Sequence, residues 1–274
     1  MRARSRRLFR RRPRRFPMRD RMSLIPGLMT LGNLCFGMMA ILHVLTGQYT
    51  RAAWLMVVAA ILDGLDGLVA RATRSTSPLG LQLDSLADLV SFGVAPTLLM
   101  YRWTPIRQAL PIAHSFAVAM TLYYVACTAL RLARFNVLSP SMDRRYFIGL
   151  PAPGAGSVLF TLPLMFSPPS PRSPVVIVPF ALMGILGSLM ISNIRYRSLK
   201  QLEIHRRWPL ASMATVALIL SLVITHPRVT LWSVSTLYAL SGLAMRVVLY
   251  LKRVLRRRVD SAVPTSGEDE PWRS

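Results

Sequence analysis

DGLDGLVARATRSTSPLGLQLDSLAD, residues 63–88, decides how this chain folds. It holds four of the eleven acidic residues and lies between two strongly apolar runs, where a membrane helix tolerates charge least. Asp63 and Asp66 are three apart and Asp84 and Asp88 four apart, so on helices each pair projects from one face. Gly64 and Gly67 remove side chains beside the first pair, and Ala70 keeps that face low. Arg71 adds a cation at the end of the first helix, and Gly80 opens the second. The connector from Ala72 to Leu79 is short enough to force an antiparallel hairpin, which brings both pairs to one end of the bundle. The expected product is a polar pocket that attracts metal.

Composition sets what surrounds the pocket. A chain of 274 residues with 53% hydrophobic content is either one large soluble domain or a polytopic membrane protein. The charge distribution separates these: long runs carry almost no ionisable group, while the net charge of +23 gathers at the ends and in short connectors. A bilayer span needs about 20 apolar residues, and several runs reach that length. The alternation of a membrane barrel is absent, so the expected fold is all-α, a polytopic integral membrane helix bundle of about eight transmembrane helices. The spans fall near residues 28–45, 52–71, 80–101, 110–134, 155–166, 175–194, 209–225 and 231–251, with Pro163 interrupting the fifth. The expected organisation is a basic cytoplasmic segment over 1–25, a six-helix core over 26–200, two additional transmembrane helices over 201–251 and a charged disordered tail over 252–274.

Residues 1–21 contain eleven arginines and cannot form a core. An adjoining membrane domain makes anionic lipid headgroups the expected partner, at about 1 kcal/mol per basic residue near the surface, and nucleic acid is not expected. Placing the N-terminus in the cytoplasm satisfies the positive-inside rule at almost every turn. The inner segments then carry the N-terminal arginines, Arg71 and Arg74, Arg144 and Arg145, the basic residues between Arg195 and Arg207, and the cluster from Lys252 to Arg258. Outer connectors carry only Arg51, Arg102, Arg107, Arg172 and Arg228. Both termini and all four aspartates are expected on the cytoplasmic side of the plasma membrane. Cys35 and Cys127 lie inside apolar runs with no disulfide or zinc spacing, and the four histidines are scattered singly.

Two further groups share the aspartate end. The first span carries Thr30, Asn33 and Gly37 on one side, where the plain reading is an interhelical hydrogen bond and close packing. The fourth ends in Arg131 and Arg134, three apart, either as positive-inside anchors or as counter-charges for an anionic substrate. Four clustered carboxylates would repel one another unless a divalent cation sat among them. All-oxygen ligation suits Mg²⁺ or Mn²⁺, and two ions about 4 Å apart could neutralise a diphosphate and support in-line displacement at phosphorus.

Asp63, Asp66, Gly67, Ala70, Arg71, Gly80, Asp84 and Asp88 stand at fixed spacings across 26 positions. At every one of them the stretch resembles the CDP-alcohol phosphotransferase signature. The resemblance implies that Asp63, Asp66 and Asp84 ligate metal, and that Asp88 completes a second metal site and serves as general base. It also implies that Gly67, Ala70, Arg71, Gly80 and Ser77 contact cytidine and diphosphate. The Pro26, Thr30, Asn33, Gly37 spacing, the strings RLARFN (131–136) and GLPAPGAG (149–156), and residues 193–200 resemble the bacterial serine-accepting branch. In that branch the first helix flanks the nucleotide pocket, which makes Thr30 and Asn33 candidate substrate-binding residues. The implied reaction moves a phosphatidyl group from CDP-diacylglycerol to L-serine, with Arg131 and Arg134 holding phosphate or the serine carboxylate. Other acceptors, such as glycerol phosphate or inositol phosphate, share the four-aspartate motif. Intramembrane aspartates also occur in cation-coupled transporters, although those sites favour the midplane and broken helices. A homodimer is a further expectation.

Overall fold

The computed structural model describes residues 24–73, 78–108, 111–138, 146–192, 195–197, 217–218 and 221–242. The arginine-rich segment, Arg74, Ser77, most of the seventh expected span, the end of the eighth and the charged tail lie outside the described residues.

Helix α1 (Leu24–Leu45) and helix α2 (Tyr49–Ala72) form the first antiparallel pair. Gly47 turns between them with φ +78°, a left-handed conformation that glycine adopts without cost, and its N–H donates to Val44 O at 3.1 Å. The third span is composite: helix α3 (Pro78–Asp88), a π-helical turn over Leu89–Val94, and helix α4 (Ala95–Trp103). Helix α5 (Pro111–Leu138), α6 (Ala152–Met165) and α7 (Val178–Ile191) follow.

Among the described residues five helical stretches are long and apolar enough to cross a membrane: Pro26–Leu45, Tyr49–Ala70, Leu79–Trp103, Pro111–Val137 and Pro174–Ile191. These are the first, second, third, fourth and sixth expected spans. The fifth is the 14-residue α6, apolar but shorter, with Pro163 inside it. The chain is an all-α, multi-pass membrane protein. Its hub is the third span, of which 56% is buried, against 28% for the spans of α1, α2 and α5. Phe92, Ala95, Leu99 and Met100 of the hub pack among Met56, Tyr124, Leu159, Phe180 and Met183 in one core.

A short antiparallel ribbon, β1 (Tyr146–Ile148) with β2 (Arg195–Arg197), supplements the helices. It ties the loop before α6 to the chain leaving α7. Gly149 follows with φ +80°, and an added Cβ there would lie 3.1 Å from Met190 C and 3.2 Å from Ser192 O. Leu150 N then donates to Leu189 O at 3.1 Å, which fixes where α6 begins.

Backbone over 227–242 is also helical and runs antiparallel along α6. Trp232 meets Phe166 edge to face at 5.5 Å, Ser235 Oγ lies 3.5 Å from Thr161 Oγ1, and the Tyr238 ring covers Gly154.

Candidate active site

Within the Pro26, Thr30, Asn33, Gly37 series, Thr30 and Asn33 bond aspartates and Gly37 packs against Ser91. Thr30 Oγ1 lies 3.0 Å from Pro26 O and 2.9 Å from Asp66 Oδ2, so its single proton can serve either acceptor. Asn33 is fully buried, and its Nδ2 donates to Asp88 Oδ1 at 3.4 Å. At Gly37 an added Cβ would lie 3.0 Å from Ser91 Cβ and 3.1 Å from Ser91 Cα, so only glycine lets the third span approach this closely. The approach allows Ser91 Oγ to donate to the main-chain oxygen of Asn33 at 3.1 Å.

Asp63, Asp66 and Asp84 each offer a carboxylate oxygen, and these oxygens all lie within 4.8 Å of one another. Asp66 is buried, whereas Asp63 and Asp84 are half-buried. Three hard anionic donors this close fit a divalent cation, because without one their mutual repulsion in a low-dielectric setting would be costly. Asp88 is outside that triad, although Asp63 is within side-chain hydrogen-bond reach of it. It is itself buried, and the fields of Asp63, Asp84 and Arg131 act on it. Gly64 opens one side of the cluster, since a Cβ there would meet nothing within 4 Å.

Helix α5 lines the opposite side in antiparallel register with the third span. Tyr124 OH donates to Phe92 O at 3.2 Å, Thr128 Cγ2 lies 3.3 Å from a Cβ built on Gly93, and Arg131 comes next, toward Asp88. Beyond it Asn136 Nδ2 donates to Ser85 Oγ at 2.9 Å, beside Asp84. The structure therefore divides the two arginines of the RLARFN string. Arg131 faces the cluster, and its Nε is buried with no hydrogen-bond partner among the described residues. Arg134 is exposed, and its Nη1 donates to Ile191 O at 3.3 Å, at the end of α7. A second orphan belongs to the residue that bonds Asp88: Asn33 Oδ1, also buried and without a partner among the described residues. Each unmet group costs about 1–3 kcal/mol, a penalty that a bound ligand can remove.

The π-helical turn begins directly after Asp88, and its origin lies in Pro96. Proline has no N–H and its ring crowds the carbonyl four residues back, here Phe92 O, so the regular ladder cannot pass this point. The protein closes the gap with five-residue spacing, Ala95 N–H to Val90 O, and with the phenol of Tyr124 on Phe92 O. Thr97 Oγ1 lies 3.1 Å from Gly93 O and 2.8 Å from Val94 O.

Of the remaining expected site residues, Gly67 and Ala70 are half-buried on α2 and Gly80 is half-buried on α3. Arg71 belongs to α2, but its side chain is outside the described residues, as is Ser77 entirely. Two contributors were not singled out from sequence. Asn136 could have been found from its place at the end of the basic string, whereas Tyr238, which interacts electrostatically with Arg131, carries no local signal at all. A cavity of ≈ 430 Å³, lined by Gln48, Arg51, Trp103 and Phe166 among others, lies at the other end of the bundle and takes no part in this cluster.

A sequence profile of CDP-alcohol phosphatidyltransferase matches residues 23–192, which include every element that builds the cluster. The chain belongs to that family. It is 35% identical over 241 residues to the CDP-diacylglycerol–serine O-phosphatidyltransferase of Helicobacter pylori strain J99, covering 85% of this chain and 95% of that protein. The enzyme of the same name from Mycobacterium leprae is 35% identical over 227 residues, 79% of this chain and 72% of that protein. The Bacillus subtilis enzyme of that name is 33% identical over 180 residues, 66% of this chain but 93% of its own length. Membership makes the protein a phosphatidyltransferase and sets aside the transporter reading of its intramembrane aspartates.

Proposed function

We propose that this protein transfers the phosphatidyl group of CDP-diacylglycerol to the hydroxyl of L-serine, giving phosphatidylserine and CMP. The observation that carries the reading is the convergence of three carboxylates, a fourth outside the triad, and Arg131 at one end of the bundle. The names of the relatives from three bacteria support serine as acceptor.

In this reading Asp63, Asp66 and Asp84 would hold one Mg²⁺ or Mn²⁺, and Asp88 would complete the site of a second. When bound, such ions neutralise the diphosphate of the donor and stabilise charge on the displaced phosphate. The chain's own residues do the rest. Thr30 and Asn33 hold Asp66 and Asp88 in position through the hydrogen bonds above. Asp88 takes the proton from the serine hydroxyl as its oxygen attacks the phosphatidyl phosphorus, and the phosphorus–oxygen bond to CMP breaks. CMP leaves as the phosphate monoester. Arg131 meets the serine carboxylate with a forked donor that lysine cannot reproduce. Gly67, Ala70, Arg71, Ser77 and Gly80 border the cytidine diphosphate, and Arg134 anchors α7 beside the site.

The reading places the cluster at the cytoplasmic face of the plasma membrane, where water-soluble serine is available, with the arginine-rich N-terminal segment on anionic headgroups and a homodimer as the assembly. The test is incubation of the purified protein in detergent with CDP-diacylglycerol, divalent metal and a panel of alcohols: serine, glycerol phosphate and inositol phosphate. CMP release that depends on serine is the expected result. Release supported by another alcohol and not by serine would keep the chemistry and replace the acceptor.

A further inference from the structure

The two orphan atoms beside Asp88 are complementary in chemistry. Asn33 Oδ1 is an acceptor that lacks a donor, and Arg131 Nε is a donor that lacks an acceptor, both buried and both without partners among the described residues. They come from different helices, α1 and α5. Asp88 connects them, since Asn33 Nδ2 donates to its Oδ1 and the charge of Arg131 acts on it.

Turning the Asn33 amide over would not relieve the orphan. Oδ1 would then oppose the Asp88 carboxylate, acceptor against acceptor, and the hydrogen bond from Nδ2 would be lost. Packing also prevents the side chain from leaving: Asn33 is 0% exposed, and Ser91 Oγ is bonded to its main-chain oxygen at 3.1 Å. The acceptor therefore stays without a donor among the described residues. In a pocket dominated by carboxylates, the ligand group that best suits an unfilled acceptor is a cationic donor.

We propose that Asn33 is a specificity-determining residue for the acceptor, its Oδ1 receiving the α-ammonium of an amino acid whose hydroxyl reaches Asp88 and whose carboxylate meets Arg131. This inference rests on the serine reading and deepens it. An amino acid is the one acceptor class that presents an ammonium, a carboxylate and a hydroxyl together, so it fills both orphans and places the reacting oxygen in one pose. Glycerol phosphate and inositol phosphate bring no cation for Asn33.

Serine analogues lacking one group at a time separate the contacts. 3-Hydroxypropanoate is serine without the ammonium, and ethanolamine is serine without the carboxylate. Each is measured as a competitive inhibitor of serine-dependent CMP release by the metal-loaded, full-length protein. In the unmutated protein both are expected to bind at least about tenfold more weakly than serine, the size of one charged hydrogen bond. Asn33→Ala is expected to raise the serine KM about tenfold while leaving the inhibition constant of 3-hydroxypropanoate within about twofold. Arg131→Gln should give the mirror result, weakening 3-hydroxypropanoate and sparing ethanolamine. Equal weakening of serine and 3-hydroxypropanoate by Asn33→Ala would overturn the proposal, because Asn33 would then act on the site as a whole. Should that variant fail to fold in detergent, the unmutated protein decides alone: 3-hydroxypropanoate binding as tightly as serine overturns the ammonium contact. The absence of serine-dependent CMP release would remove the serine reading and this inference with it, whereas serine-dependent release with parallel losses would remove the inference only.

Discussion

The two aspartate pairs have nearly the same spacing, three residues and four, and yet the fold treats them differently. Asp63 and Asp66 stand on uninterrupted α-helix, and both join the triad of carboxylates. Asp84 and Asp88 stand on a helix that changes pitch directly after Asp88, and only Asp84 joins. Asp88 instead lies between Asn33 and Asp63, under the field of Arg131. Identical side chains thereby take up two arrangements: a triad close enough to share a cation, and a fourth acid outside it suited to moving a proton. The difference is produced by neighbours, since the acids themselves are the same.

The largest effect expected from breaking this arrangement is loss of the triad. Asp63→Ala removes a triad member and the reach to Asp88 at once, so CMP release should fall to background while the protein still melts cooperatively in detergent. Excess chelator should silence the unmutated protein equally. Full activity in chelator would end the metal-dependent reading.

Asp88→Asn sharpens the contrast between the pairs. As general base, Asp88 should contribute about 10²-fold or more to turnover, with CDP-diacylglycerol binding retained. Parallel loss of binding and turnover would instead make Asp88 chiefly a metal ligand.

The arginines repeat the lesson at smaller amplitude. Arg131→Lys keeps the charge and loses the fork, and is expected to raise the serine KM about 10- to 100-fold. Arg134→Lys touches an exposed bond to Ile191 O, and is expected to shift the same constant by no more than about threefold, as exposed polar pairs do. The reverse order of effects would exchange their roles.

Much of this site was legible because its determinants are local in sequence. Fixed spacings on α2, α3 and α1 encode which side chains share a helical face, so the aspartates, Thr30, Asn33 and Gly37 could be read together. Pro163 likewise announced the short α6. What could not be read depends on which helices become neighbours. Arg131 and Arg134 share a helical face, but only the packing of α5 on the third span and on α7 decides that one comes within electrostatic reach of Asp88 and the other bonds Ile191 O. Gly154 reads as part of a loop-like Pro/Gly cluster until Tyr238, from a helix 84 positions later, is seen against it: a Cβ there would lie 2.8 Å from Tyr238 Cε1. The family profile ends at residue 192, so that contact is an addition to the shared core. The pitch change after Asp88 had a visible cause in Pro96, but its repair by Tyr124 is again a matter of tertiary contact.

Tyr124→Phe gives the smallest expected effect, and tests whether the pitch change itself keeps Asp88 apart from the triad. Tyr124 is fully buried, and its phenol donates to the carbonyl that Pro96 leaves without a helical N–H. Phenylalanine keeps the ring and its packing and removes only that donor. Loss of one neutral hydrogen bond from a buried carbonyl costs about 1–3 kcal/mol, and part of this returns if the turn relaxes. The detergent melting temperature should therefore fall by a few degrees. If the π-helical turn positions Asp88, turnover should fall with it by less than about tenfold, with the CDP-diacylglycerol KM unchanged, because a displaced base affects the proton-transfer step and leaves donor binding intact. A lowered melting temperature with unaltered turnover would mean that Asn33 and Asp63 hold Asp88 without help from the turn, and the contrast between the two aspartate pairs would then trace to those side chains and not to the change of helical pitch.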